Sequence, residues 1–266
     1  MEVSDLTSNL LPTYLLKRHP IVVEAHFDFV LVLTYAFPKA LLEPLLSPGL
    51  ELDTYGDLAF VAVAVVQTRR MKPKGSPSFL GQDYLLIGYR IFVRYTTLEG
   101  RHLRGLQILR SDTDSHSMAA VGNLLTHYHF NAAAMKYAYG EQKLTLSSQA
   151  FDGKSEFIVT ASLDADDNYL PEGSPFTSVR DALKFAGPMP FTFDYERETN
   201  SIVRVEGVRQ NWQPKPVAVD VGKISFFQQL PFSQAEPVLC SSFFLQNIPY
   251  YWKAGIVEKL PPAGTQ

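Results

Sequence analysis

The sequence predicts a mainly β domain: many antiparallel strands joined by short turns, arranged as a barrel or a sandwich, with a few peripheral helices. Apolar residues recur at every second position through several segments, most regularly from Asp83 to Tyr95. This is the period of a strand rather than of a helix. Turn signals such as Glu99-Gly100 and Asp152-Gly153 separate neighbouring segments, as in β-hairpins. Segments with helical spacing are few and short.

The strands are predicted from this alternation. From Leu85 to Tyr95 the odd positions are all apolar, whereas the even positions include Gly88, Arg90 and Phe92, so one face is apolar and the other mixed. After the turn, His102 to Arg110 is predicted to pair with this strand. A second hairpin is predicted from Leu50 to Thr54 and Leu58 to Thr68. Further strands are predicted at Val22 to Tyr35, Lys143 to Ala150, Ser155 to Leu163, Phe191 to Tyr195, Ile202 to Gln210 and Val217 to Gln228.

Three helices are predicted from start signals and apolar spacing. Pro38 to Leu46 opens with proline, which is favoured in the first turn. Ser115 to His127 carries an apolar stripe and has a serine that can cap its first turn. Thr177 to Phe185 can be capped by Thr177 or Ser178 and ends before Gly187-Pro188.

Composition limits the class of protein. The chain has 266 residues, of which 46% are hydrophobic and 19% charged, with a net charge of −3. We expect one domain over 1–266, with an N-terminal extension (1–20), the barrel and its helices (21–260) and a tail (261–266). No targeting signal or long apolar segment is visible. We therefore expect a cytoplasmic protein that binds neither nucleic acid nor a membrane, and leave open whether it forms a homo-oligomer.

Acidic residues and a histidine cluster where a predicted strand meets a helix. Asp112, Asp114 and His116 are within five positions of one another and are candidate catalytic acid and base groups. The alternative is that they form a turn and a helix cap, which favour the same residue types. No cofactor motif is present, and the single cysteine, Cys240, excludes a multi-cysteine zinc site. We expect neither a metal nor a cofactor.

Charged residues inside predicted strands suggest a ligand site. Arg90 has apolar neighbours, so its guanidinium must reach water, a partner or a ligand carboxylate. Arg104 and Glu206 are also assigned to the ligand site, and the alternative is a structural ion pair between Glu206 and Arg90 or Arg104. Candidate aromatic walls of the site are Phe92, Tyr128 and Trp212.

Ordered motifs across the chain resemble the YqjF-like family of uncharacterised bacterial proteins. The likeness covers about Ala25 to Leu260 and includes a "P-x-G-L-x-L-D-T-(F/Y)" motif, an arginine-bearing strand and a later tryptophan block. In this sequence the matching segments are Phe37 to Tyr55, Tyr89 to Val93, Ser111 to Met135, Gln210 to Pro214 and Phe243 to Leu260.

This resemblance implies an antiparallel β-barrel, closed or partly closed, of the acetoacetate decarboxylase-like type, with a few peripheral helices and an internal ligand cavity. Acetoacetate decarboxylase uses a lysine that forms a Schiff base with its substrate. No lysine occurs between Lys74 and Lys136, and Asp112, Thr113 and Asp114 stand where the superfamily lysine is expected. A Schiff-base reaction would require Lys136, Lys143 or Lys223 to reach the cavity.

We therefore expect a barrel that binds a small organic acid or related metabolite without Schiff-base chemistry. One alternative is an acid–base lyase, hydratase or isomerase of the same fold. Another is a non-catalytic interaction module with a closed core.

Overall fold

The computed structural model describes residues 12–187 and 189–262 and is dominated by strands. The outer parts of the expected extension and tail, 1–11 and 263–266, lie outside these residues. The helices are α1 (Lys39–Leu42), α2 (His116–Leu125) and α3 (Val179–Ala186). The strands are β1 (Val23–Pro38), β2 (Leu50–Leu52), β3 (Leu58–Pro73), β4 (Gln82–Thr96), β5 (His102–Thr113), β6 (Phe130–Tyr139), β7 (Lys143–Ala150), β8 (Glu156–Ser162), β9 (Phe191–Glu196), β10 (Ser201–Arg209), β11 (Lys215–Pro216), β12 (Ala218–Ile224), β13 (Val238–Trp252) and β14 (Ile256–Lys259).

Seven of these strands hydrogen-bond into a closed ring. The order is β1, β3, β4, β5, β9, β10 and β13, and β13 pairs again with β1. Six of the seven junctions are antiparallel, whereas β5 and β9 are parallel. This parallel junction pairs only Gly105 with Phe191 and Leu106 with Thr192, and a side chain at position 105 would collide with the carbonyl oxygen of Phe191.

Two features of the sheet differ from the sequence prediction. The sheet is mixed rather than purely antiparallel, because β5 also runs parallel to β6. The predicted hairpin between Leu50 to Thr54 and Leu58 to Thr68 is wrong, since β2 pairs with β4 through Glu51 and Arg94. The mainly β class is confirmed.

A four-stranded arm leaves the ring at β5 and packs against its outer face. The arm contains β6, β7, β8 and β12. Its inward residues, such as Leu146 and Val159, share one apolar core with Leu31 and Val63 of the ring. The Tyr89 hydroxyl of β4 also lies 3.0 Å from Ser155 Oγ, just before β8. Among the described residues this is the largest cluster of buried apolar side chains, and burial of apolar surface is the main source of stability.

The alternation of β4 separates the two sides of the ring. Leu85, Ile87 and Tyr89 face the outer core, whereas Arg90 and Phe92 face the interior. A one-residue change of register would exchange these faces, so the outer core fixes which side chains enter the ring.

Helices and the N-terminal segment contribute to the ends of the interior. Ser115 caps α2 by accepting a hydrogen bond from the Met118 backbone N–H at 3.2 Å, and Ser178 caps α3 in the same way. Before β1, Arg18 donates to both carboxylate oxygens of Glu196 at 2.8 and 2.6 Å. These contacts hold the neighbouring His19 in place.

Within residues 12–187 and 189–262, no helix is long and apolar enough to cross a membrane.

Candidate functional site

The seven-stranded ring encloses a cavity of about 160 Å³. Every ring strand contributes an inward side chain to its wall, for example Val30 from β1, Ala62 from β3 and Val205 from β10. Met118 of α2 and Ala186 of α3 complete the lining. A mostly apolar wall with a few polar groups is typical of a site for a small molecule.

Arg90 enters this cavity from the middle of β4. Its Nε atom is buried without a hydrogen-bond partner among the described residues, and its guanidinium forms no ion pair with any of them. Burial lowers the pKa of Arg90, Tyr250 and Tyr128 oppose this effect, and Arg209 adds to it. An arginine nevertheless keeps its proton at neutral pH. Arg90 therefore places an uncompensated positive charge in the cavity.

A second guanidinium, that of Arg209, lines the same cavity from β10. Its central carbon lies 4.5 Å from the centroid of the Trp212 ring, a cation–π contact that restrains the side chain. Arg209 also forms no ion pair with any of the described residues. Its cross-strand neighbour is Tyr250 of β13, which also lines the cavity.

The position of the Tyr250 hydroxyl requires a glycine at position 207. A side chain there would collide with this hydroxyl. The Tyr250 ring is fixed on its other side by Phe27 at 4.7 Å and Trp252 at 4.6 Å between centroids. Both arginines lower the pKa of Tyr250, although burial, the larger effect, raises it. The tyrosine is thus a neutral hydrogen-bonding group close to two cations.

A fourth polar group, the hydroxyl of Tyr128, lies shortly after the end of α2. The hydroxyl of Tyr128 is 2.7 Å from Thr192 Oγ1 on β9, and both residues line the cavity. Asp194 follows Thr192 on the same face of β9 and is only 6% exposed. Its carboxyl has neither a hydrogen bond nor an ion pair with a residue in the described part of the chain, and burial raises the pKa of this group to about 7.

The predicted acid–base trio does not face this cavity. A bulge in the pairing of β4 with β5 places Arg90 opposite Ile108 and Tyr89 opposite Arg110. Directly paired residues share a face, so Ser111, opposite Gly88, faces the cavity, and Asp112, opposite Ile87, faces the outer core. An unbroken register would have placed Asp112 on the side of Arg90.

Asp112, Asp114 and His116 make separate local contacts. Asp112 accepts a hydrogen bond from Arg110 Nε at 2.7 Å, and burial raises its pKa although Arg110 opposes this. Asp114 accepts from the Leu85 backbone N–H at 2.8 Å. His116 is exposed and stacks on Phe151 at 5.5 Å. The three side chains thus contact different partners and form no common acid–base site, and the residue that caps α2 is Ser115.

Arg104 and Glu206, assigned to the ligand site from sequence, also lie outside the cavity. Arg104 donates to Asp53 at 2.6 Å and to the Phe185 carbonyl at 2.8 Å. Glu206 accepts from Lys253 at 2.8 Å. Neither is paired with Arg90, so the alternative of a structural ion pair between Glu206 and Arg90 or Arg104 is not formed either. Arg90, Phe92, Tyr128 and Trp212 do meet in the cavity.

Sequence reasoning did not assign His19, Arg209 and Asp194 to this region. The alternation of β10 could have distinguished Arg209, which shares a face with Val205 and Gly207, from the outward Glu206. The segment around His19 carries no such periodicity. In β9, Thr192, Asp194 and Glu196 alternate with aromatic residues, and this alternation could have placed Asp194 on the same face as Thr192.

Comparison with known proteins places the chain in a group without a stated activity. A family profile described as an uncharacterized conserved protein matches residues 24–244. No curated protein sequence matches the chain.

Solved structures share the fold at low sequence identity. Acetoacetate decarboxylase from Legionella pneumophila has a TM-score of 0.58 and 16% identity, covering 96% of this chain and 93% of that chain. An acetoacetate decarboxylase-like enzyme from Sphingomonas wittichii RW1 has a TM-score of 0.56 and 14% identity, covering 97% and 100%. The enduracididine biosynthesis enzyme MppR complexed with pyruvate has a TM-score of 0.54 and 11% identity, covering 95% and 93%. The acetoacetate decarboxylase-like fold predicted from sequence is confirmed.

Proposed function

The chain belongs to the DUF2071 family, whose description states no activity, and we propose from the cavity itself that the protein binds the carboxylate of a small organic acid. Arg90 is the group that receives the carboxylate. Phe92, Tyr128 and Trp212 form part of the surrounding wall, and no Schiff base is formed.

The observation that carries this proposal is the unpaired guanidinium of Arg90. Its Nε is buried and lacks a partner among the described residues. Burying a charge without a partner is costly, and charges inside proteins are normally paired. A carboxylate can accept two parallel hydrogen bonds from one guanidinium. A ligand carboxylate would therefore offset the cost of placing Arg90 in the cavity.

The absence of Schiff-base chemistry is proposed from the positions of the lysines. None of the described residues that line the cavity is a lysine. Lys136 and Lys143 are exposed on the arm, and Lys223 is paired with Glu156 at 2.6 Å. A reactive amine must lie within reach of the ligand carbonyl, and none of these three lies in the wall.

The two alternative functions receive less support from the geometry. The acid–base enzyme built on Asp112, Asp114 and His116 needs these groups to meet a substrate, and they are divided between the outer core and the surface. The interaction module needs a cavity that is only apolar core, whereas this one contains two guanidiniums. A pyruvate complex of MppR, a protein of the same fold, agrees with an organic acid as ligand.

A thermal-shift screen with organic acids and keto acids tests the proposal. A ligand that binds only the folded state raises the melting temperature. Titration calorimetry on the acids that do so should show that Arg90→Ala weakens binding by about 1.5–3 kcal/mol, the range for hydrogen bonds to charged groups. The matched control is Arg101→Ala, which removes an exposed arginine distant from the cavity wall. An unchanged affinity in Arg90→Ala, or no stabilising acid at all, would refute the proposal.

A further inference from the structure

The two unpaired guanidiniums of the cavity come from opposite walls of the ring. β4, which carries Arg90, and β10, which carries Arg209, are three junctions apart on one side of the seven-stranded ring and four on the other. Both side chains line the same cavity. Each lowers the pKa of Tyr250, which lies next to Arg209 across the β10–β13 pairing. The two cations therefore act on the same enclosed space from different directions.

No carboxylate in the described part of the wall neutralises them. The described lining contains neither an aspartate nor a glutamate. Asp194 is a buried acid on the Thr192 face of β9, and burial raises its pKa to about 7, so it is largely protonated below neutral pH. The described wall of the cavity thus holds two positive charges without a neutralising carboxylate, whereas buried charges in proteins are normally paired.

Arg209 is also placed for a ligand rather than for solvent. Its contact with the Trp212 ring at 4.5 Å covers one face of the guanidinium and leaves its edge, which carries the N–H donors, available. Stacking of this kind restrains an arginine before a ligand arrives and so reduces the entropy lost on binding.

We propose that the ligand is a small dicarboxylate, with one carboxylate on Arg90, the other on Arg209, and Tyr250 close to the second. The proposal rests on the proposed function and extends it from one anionic group to two. The two guanidiniums approach the cavity from opposite walls of the ring, so two separated carboxylates, one for each arginine, match the site better than one doubly charged group. The mostly apolar lining of the cavity suits a short hydrocarbon chain.

The test is calorimetric titration of the full chain near neutral pH with matched pairs of acids. Each pair has the same number of carbons, for example succinate with butanoate, glutarate with pentanoate and adipate with hexanoate. We expect at least one dicarboxylate to bind about tenfold tighter than its partner, the scale of one additional charged hydrogen-bonded contact. Glycerol phosphate, with two charges at one end, is expected to bind more weakly than that dicarboxylate.

Variants test whether Arg209 binds the second carboxylate. Arg209→Gln should weaken the dicarboxylate more than its monocarboxylate partner and so remove the advantage of the dicarboxylate, whereas Arg90→Gln should weaken both acids. Arg101→Gln is the surface control. The comparison of matched acids on the wild-type protein needs no variant, so a folding defect in Arg209→Gln would not remove the test.

The outcomes separate this inference from the proposed function. Monocarboxylate binding that depends on Arg90, with no dicarboxylate binding tighter, would overturn the inference and leave the proposed function standing. Tighter binding of glycerol phosphate than of every dicarboxylate would also overturn it. Failure of all carboxylates to bind would remove both.

Discussion

The guanidinium of Arg90 lies directly over Gly88, two residues earlier on the same strand. A Cβ atom at position 88 would come within 2.8 Å of Arg90 Nε and 2.9 Å of one terminal nitrogen. Gly88 faces the same side of β4 as Arg90. The glycine therefore lets the arginine bend back along the strand and sets the position of its donors in the cavity.

Replacing this glycine should affect binding more than stability. Gly88→Ala forces the flexible end of Arg90 to move, and we expect carboxylate affinity to fall by about 1 kcal/mol, the scale of one hydrogen bond. The melting temperature should be unchanged or slightly higher, because alanine loses less backbone entropy on folding than glycine. Calorimetry and thermal unfolding measure the two effects. In an Arg90→Ala background the same substitution should leave affinity unchanged, and a further loss there would contradict this account.

Borohydride should not trap a ketone on the cavity wall. The described lining has no lysine, so acetoacetate cannot form an iminium there for the hydride to reduce. The measurement is the intact mass of the protein after treatment with acetoacetate and borohydride, followed by peptide mapping. A lysine-dependent acetoacetate decarboxylase treated in parallel is the positive control. A single lysine modified in high yield would show that an amine reaches the ligand.

Arg110 should act on stability and leave ligand binding unchanged. It joins Asp112 at 2.7 Å and both oxygens of Asp152 at 2.9 Å. Arg110→Ala leaves the fully buried Asp112 unpaired, which should lower the free energy of unfolding by about 3–5 kcal/mol. Arg101→Ala, at an exposed position, should change it by about 0.5 kcal/mol or less. Denaturant unfolding and calorimetry of the folded variants check this.

The ion pair between Arg110 and Asp112 also allows a test of whether Asp112 has a structural or a catalytic role. Asp112→Asn should also destabilise the fold while keeping carboxylate affinity. A variant with intact stability and lost affinity would restore Asp112 as a site residue.

Asp194 should make stability depend on pH between about 4 and 7. Its pKa in the folded protein is about 7, against an ordinary value of 3.8. In this window the folded state binds a proton that the unfolded state has released, so the contribution of Asp194 decreases as the pH rises, by about 1.4 kcal/mol per pH unit. Asp194→Asn keeps the shape and removes the titration.

The difference in unfolding free energy between wild type and Asp194→Asn isolates the titration of Asp194. Urea unfolding at about pH 4.5 and about pH 7.5 should show wild type losing stability relative to Asp194→Asn at the higher pH. The titration of His19, whose pKa is lowered by burial, is common to both proteins and cancels. A difference that does not vary with pH would show that Asp194 titrates normally.

The sequence predicts the wall around Arg90 well because β4 alternates without interruption. From Leu85 to Tyr95 every odd residue belongs to the outer core, so the side of Arg90 follows from parity alone. Asp112 shows the limit of the same reasoning. One additional residue in β5 moves it to the other face, and the chain from His102 to Thr113 contains no glycine or proline near the bulge that would indicate it.

The closure of the ring could not be predicted from local pattern. β13 was not predicted as a strand, because the stretch from Cys240 to Ile248 mixes two serines, three consecutive apolar residues and an amide pair without alternation. Its identity as a strand depends on pairing with β1 over most of its length. Tertiary context determines whether such a segment forms a strand. The same holds for the parallel pairing of β5 with β6 and β9.

The parallel junction between β5 and β9 affects how small solutes reach the cavity inside the ring. It is two residues long, whereas β1 and β3 are paired over most of their lengths, and Gly105 is needed for the strands to approach. Local opening usually begins where few hydrogen bonds must break. We therefore expect the seam to separate before the long strands do, which would give small solutes a route in and out that does not require global unfolding.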